Sequence, residues 1–246
     1  MNIQPVIIPI KISEQAIKLN KANLLAFLFA LKSTYSGGAI KNVYSRLNEL
    51  AKYARVHKKT VKKYLDELVK VGWAKFANNG TLMVIGKDKL CKEFGLNYDH
   101  IMKYAYSYKG HKDMKAQLRV FAINDNLAKQ EAKVIGKLKN TLKDKSKKES
   151  RKAVQLERHD LKGKLTLSQR GIGRVYGKSS FSGAYWSNKL VKLNKLKVRS
   201  QESIIRCEDM SKQCFIALRN VHPERSLVWS NGKVYERLPN KIEVLF

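Results

Sequence analysis

Proline is nearly missing from the 246-residue chain: the four copies lie at positions 5, 9, 223 and 239, so the long middle holds no residue that breaks a helix for want of an N–H. That middle is expected to be mostly α-helical. Cysteine is equally scarce, and Cys91, Cys207 and Cys214 are odd in number and far from any paired CxxC spacing. This argues against a disulfide framework and a structural zinc site, and for free thiols in a reducing compartment. No apolar run approaches membrane length, since the nearest, Ala22 to Leu31, is about half of the roughly 20 residues a span needs. No transmembrane helix is expected. The opening MNIQPVIIPIKIS lacks a basic segment ahead of its apolar stretch and carries Pro5 and Pro9, so it reads as an edge strand rather than a signal peptide.

Negative charge is the largest deficit. Against 50 Lys and Arg stand 20 Asp and Glu, a formal net charge of +30. Self-repulsion of that size calls for a polyanion, and nucleic acid is the one whose condensed counterions, once released, supply binding free energy. A location in the cytoplasm follows, with the nucleoid, or in host cytoplasm for a viral source. Hydrophobic content of 43% is ordinary for globular chains, so a core is expected despite the charge.

Residues 20–35, with Leu24, Leu25, Phe27, Leu28 and Leu31, read as a buried helix ending near Gly37 and Gly38, followed by another over 43–53. From Lys112 to about Arg158 there is no proline and only Gly136, which predicts one long connector helix. Between Lys129 and Lys164 that stretch carries 13 Lys or Arg against five Asp or Glu. Leu127, Val134, Leu138 and Leu142 share a face that suits either a short homodimer seam or packing within the domain. After Leu196 the runs 197–199, 203–206, 215–218, 227–229 and 242–245 read as short strands of a small sheet.

Residues 46–76 have the spacing of helix, tight turn, helix. Leu47, Leu50 and Ala51 make the apolar face of the first helix. Val61, Tyr64, Leu65, Leu68 and Val69 make that of the second, and Val56 fills the angle between them. His57, Lys58, Lys59, Thr60, Lys62 and Lys63 then fall at the outward N-terminal end of the second helix, where base edges and phosphates are met. Trp73 to Phe76, Asn78-Asn79-Gly80 and Thr81 to Ile85 predict a β-hairpin. The stretch from about Lys21 to Ile85, including LNELAKYARVHKKTVKKYLDELVKVGW, resembles the winged-helix family. The resemblance implies duplex-DNA binding with the second helix in the major groove, and makes Lys75, Asn78 and Asn79 of the wing candidates for backbone contact.

Residues 165–193, LTLSQRGIGRVYGKSSFSGAYWSNKLVKL, predict a second motif. Ser168 caps a helix to about Tyr176, Gly177 turns, and Ser179 or Ser180 caps a helix to Leu193, with Leu167, Ile172, Val175, Leu190 and Leu193 as core positions. The string resembles helix-turn-helix motifs of bacterial and phage regulators, from which it departs at Gly171, Gly173 and Gly183. On that reading Lys178, Ser179, Ser180, Ser182, Tyr185 and Lys189 face DNA and Trp186 enters the core.

Gly177-Lys178-Ser179 is similar to the end of a phosphate-binding loop, but the required first glycine falls on Ile172, and the glycine spacing also misses the dinucleotide fingerprint. The five histidines, at 57, 100, 111, 159 and 222, form no HxH pair. His222-Pro223-Glu224-Arg225 with Tyr235 is superficially similar to the HxxR and tyrosine of tyrosine recombinases, yet a β-rich tail cannot supply their helical catalytic domain. No DxD or paired-Glu arrangement suggests a magnesium site.

The expected architecture is α+β, mainly α: an N-terminal winged-helix domain (1–110), a basic connector helix (111–162), and a C-terminal helix-turn-helix with a small sheet (163–246). Two such units resemble the tandem winged-helix replication initiators of plasmids and phages, and transcriptional regulators share the design. The expected partner is double-stranded DNA, with no enzyme activity, cofactor, metal, small-molecule substrate or membrane. Nonspecific packaging of nucleic acid, driven by charge alone, is the alternative.

Overall fold

A computed structural model describes residues 4–97, 99, 103–143, 146–161, 167–206, 211–221, 227–230 and 233–244, with backbone alone at 159, 160, 169, 180, 199–206 and 237–244. The chain is mainly helical with small antiparallel sheets. It divides into two compact units, residues 1–126 with 174–178, and residues 127–173 with 179–246.

In the first unit, β1 (Val6–Pro9) leads into α1 (Ile10–Lys18), α2 (Ala22–Thr34), β2 (Ala39–Ile40), α3 (Leu47–Ala54), α4 (Lys58–Lys70), β3 (Ala74–Phe76), β4 (Leu82–Val84), α5 (Lys87–Glu93) and β5 (Lys103–Tyr106). The unit is completed by the start of α6 (His111–Thr141). The core is built around α2, whose residues from Leu24 to Leu31 are all buried. A helix apolar on every side belongs in the middle of a domain, and α1, α3, α4 and β1 all pack against it. Among the described residues β1 pairs only with β5, Val6 opposite Tyr106, which keeps this segment at an edge. β2, β4 and β3 form a three-stranded sheet in that order. The helix read over 43–53 begins only at Leu47, after turns closed by Ser45 and Arg46 bonding back to Asn42 and Val43.

The remaining elements are α7 (Lys147–Leu161), α8 (Gln169–Val175), α9 (Ser180–Lys192), β6 (Leu196–Arg206), α10 (Lys212–Val221), β7 (Leu227–Ser230) and β8 (Lys233–Val244). Two expectations need correction here. The connector is not one helix, because α6 stops at Thr141 and α7 restarts under a reciprocal cap. Ser146 Oγ accepts from the Glu149 N–H at 3.3 Å while Glu149 Oε2 accepts from the Ser146 N–H at 3.2 Å. That S-x-x-E pattern starts a helix wherever it lies ahead of good helix formers. Residues 215–218 are not a strand but the centre of α10, which Ser211 Oγ caps by accepting the Cys214 N–H at 3.2 Å. Phe215 and Leu218, three residues apart, pack against Leu227 and Val234 of the sheet.

The runs 197–199 and 203–206 are one strand, β6, paired along β8. The register slips between Arg199↔Lys241 and Gln201↔Leu238, where β8 contains Pro239. Proline cannot donate to a ladder and is accommodated at such an irregularity. Leu127, Val134, Leu138 and Leu142 are half-buried, and Ile135 is the buried residue beside them. Residues 222–225 and Cys207 lie outside the described residues.

Candidate nucleic-acid interface

The turn between α3 and α4 sets the geometry. Arg55 ends α3 in the left-handed conformation, φ 54°. The Arg55 N–H bonds to the Lys52 carbonyl at 3.3 Å and the Val56 N–H to that of Ala51 at 3.1 Å, the pattern that closes a helix C-terminus. Glycine is the usual residue there, so arginine holds a conformation that costs an L-residue about 1 kcal/mol. His57 then caps α4, its Nδ1 accepting the Lys59 N–H at 3.2 Å. The His57 side chain is exposed at this end of the helix.

Val61, Leu65 and Leu68 are buried on one side of α4. At 100° per residue, positions 58, 62, 66, 59, 70 and 63 fall within an arc of about 140° on the other side. Lys58, Lys59, Lys62, Lys63 and Lys70 are all exposed there, with Asp66 and Val69 among them; Val69, expected on the apolar face, is 36% exposed because it falls inside this arc. Thr60, on the flank, is half-buried. Lys63 lies 3.8 Å from Glu67, an exposed i,i+4 pair of little energetic weight.

The hairpin of β3 and β4 packs beside α4. Lys75, Asn78 and Asn79 are exposed on it. Gly80, at φ +72°, lets the loop close, with its N–H bonded to the Ala77 carbonyl at 2.9 Å. Asn79 has a bracing role, since its Oδ1 accepts the Thr81 N–H at 3.1 Å.

Sequence reasoning missed the link between hairpin and helix. Tyr44 and Phe76 stack at 5.8 Å with their planes 23° apart, and Tyr44 Oη donates to Asp66 Oδ1 at 3.2 Å. Both rings are partly exposed, at 46% and 41%. Partial burial and the Asp66 carboxylate raise the Tyr44 pKa, keeping the phenol protonated as a donor. Tyr44 lies in a turn that the sequence reads as the start of a helix over 43–53, so nothing local marks it as a link.

The second set of candidates is divided between the units. Lys178 belongs to the first, where its Nζ donates to Asn20 Oδ1 at 2.9 Å. Tyr176, almost wholly buried, donates from Oη to the Arg119 carbonyl at 3.3 Å in the same unit. Gly177 turns the chain at φ +62°, and a Cβ there would stand 3.2 Å from Lys18 Cγ. Ser179 caps α9, accepting the Ser182 N–H at 3.4 Å, and Ser182 is half-buried. Ser180 begins the helix, and its side chain lies outside the described residues.

Tyr185 is 52% exposed, and Lys189 Nζ lies 5.5 Å from its ring and 4.9 Å from that of Trp186. Trp186 is half-buried rather than a full core residue. Leu193, expected in the core, is 47% exposed because it is the C-cap of α9, beyond the buried Leu190.

Among the described residues no group of three His, Cys, Asp or Glu converges as metal ligands, and no helix is long and apolar enough to cross a membrane. His111 is buried and stacks on Tyr64 of α4 at 5.3 Å between ring centres, and burial lowers its pKa to about 4. The open depression beside α5 is lined by Asp88 and Asp99 with Lys92, so its charges are mixed rather than cationic. No protein-family model, curated protein or solved structure matches the chain.

Proposed function

We propose that the protein is a sequence-specific double-stranded-DNA binder that places α4 in the major groove and the β3–β4 hairpin against the neighbouring backbone as a wing. The observation that carries this reading is the cationic arc of α4. Lys58, Lys59, Lys62 and Lys63 stand exposed on a helix whose opposite side, Val61, Leu65 and Leu68, is locked into the core. A rigid back and a free lysine face are what groove docking requires.

The order β2-β4-β3, with α3 and α4 between β2 and β3, is the arrangement a winged helix would have, and it supports the resemblance found in the sequence. Tyr44 ties Asp66 of α4 to Phe76 of β3, so helix and wing are held in a common register. α8 and α9 supply a second helix pair, and a chain with two such units serves as a replication initiator or transcriptional regulator of plasmid or phage type. No catalytic role is part of the proposal.

Selection of bound duplexes from a random library, followed by competition at about 150 mM salt, tests it. Recovery of one sequence bound 10³-fold or more above the pool supports the reading. Equal affinity for all duplexes supports nonspecific packaging, which the net charge of +30 favours.

A further inference from the structure

Groove docking leaves one feature of the second unit unused: the rings on α9. Phe181 is 81% exposed and Tyr185 52%. At 100° per residue, positions 181, 185, 188, 189 and 192 share an arc of about 100°. Phe181, Tyr185, Asn188, Lys189 and Lys192 are all exposed along it. Gly183, Ser187 and Leu190 are buried on the opposite side, so the helix has a packed back and an aromatic, cationic front. Tyr185 is held by a perpendicular contact with Trp186 at 5.4 Å and by Lys189.

Charge identifies the ligand class. From Leu161 to Gln201 the chain carries ten Lys or Arg and no Asp or Glu. Phosphates satisfy such a stretch, and aromatic faces add affinity only where a ligand presents flat rings. Nucleic acid has both. In a duplex, however, bases are stacked 3.4 Å apart and offer only their edges. Phe181 and Tyr185 stand one helical turn apart, about 6 Å, which matches bases that have left the stack.

We infer that α9 is a binding site for single-stranded nucleic acid, with Phe181 and Tyr185 stacking on unpaired bases and Lys189 and Lys192 taking the flanking phosphates. The inference rests on the proposed function only in taking nucleic acid as the ligand; the α4 contact is separate. Stacking on exposed aromatics is tolerant of sequence, so this site would bind without strong base preference.

The test uses the full chain, a short oligothymidylate and a duplex, with two variants: Phe181→Ala with Tyr185→Ala, and Phe181→Leu with Tyr185→Leu. The leucine pair keeps apolar area but has no flat ring. Both are expected to lose oligothymidylate affinity by about 5- to 150-fold per ring, with the thermal midpoint unchanged and a much smaller loss on duplex.

The inference is overturned by wild-type protein that ignores oligothymidylate, or by a leucine pair that binds it as wild type does. Equal loss on duplex and single strand also overturns it, as does a requirement for the rings in binding anionic phospholipid vesicles instead. A Lys59→Ala, Lys62→Ala variant separates the two readings. If it retains duplex affinity while the ring variants lose oligothymidylate, the α4 assignment fails and the α9 site stands.

Discussion

Two helix pairs in this chain share the same local punctuation, a left-handed turn residue followed by a side-chain cap, yet they are supported differently. Between α3 and α4 the turn residue is Arg55 and the cap His57; between α8 and α9 they are Gly177 and Ser179. Behind α4 lie Val61, Leu65 and Leu68, and just past its end Trp73, 1% exposed, within the large core around α2. α9 buries Gly183, Ser187 and Leu190, and its front carries exposed rings. Turn chemistry makes a helix pair, but only the surrounding core makes one of its helices a rigid blade with a mainly cationic edge. On the proposed reading, the same contrast suits α4 to the groove of a duplex and α9 to unstacked bases.

The comparison is broken most severely at the core of the first unit. Trp73→Ala should destabilise that unit by about 3–5 kcal/mol in denaturant unfolding, because a fully buried indole leaves a cavity. The solvent-facing Phe181→Ala should leave stability unchanged. A small effect for Trp73 would mean that the back of α4 is not locked.

Acid should reveal the next difference. His111, packed under Tyr64 of α4, has its pKa lowered by burial from 6.5 to about 4. Between those values the unfolded chain binds the proton and the folded one does not, so stability falls as pH drops from 6.5 to 4. The loss approaches about 3 kcal/mol. His111→Phe should flatten the pH dependence of unfolding in that window, and an unaltered profile would show that this histidine is not the buried base. Smaller still is Tyr176→Phe, which removes the hydroxyl bonded to the Arg119 carbonyl and should cost about 1 kcal/mol in thermal unfolding. No cost would show that the α8–α9 turn gains nothing from that anchor.

The first motif was legible because its signals are local and agree. The apolar spacing at Val61, Leu65 and Leu68, Val56 in the angle between the helices and the Asn78-Asn79-Gly80 turn all describe elements next to one another. The second motif's caps and turn were legible for the same reason. Where the reading failed, composition or run length stood in for a cap. The proline-free stretch hid the Ser146–Glu149 capping pair, and the short apolar run at 215–218 suits a strand or a helix until Ser211 is seen to cap it.

α1, α5 and β5 were not anticipated, since α1 starts directly behind Pro9 in a segment that reads as strand. The Tyr44–Asp66–Phe76 link joins a turn, a helix and a hairpin, and no pattern along the chain encodes that meeting.

The central claim is that the lysine face of α4 lies on duplex phosphates and bases, and the salt dependence of duplex binding tests it most directly. Comparing wild type with Lys59→Ala, Lys62→Ala, the account predicts weaker binding at about 150 mM salt and a plot of log affinity against log salt shallower by about 1.8, two phosphate contacts' worth. A variant with wild-type affinity and wild-type slope would contradict it.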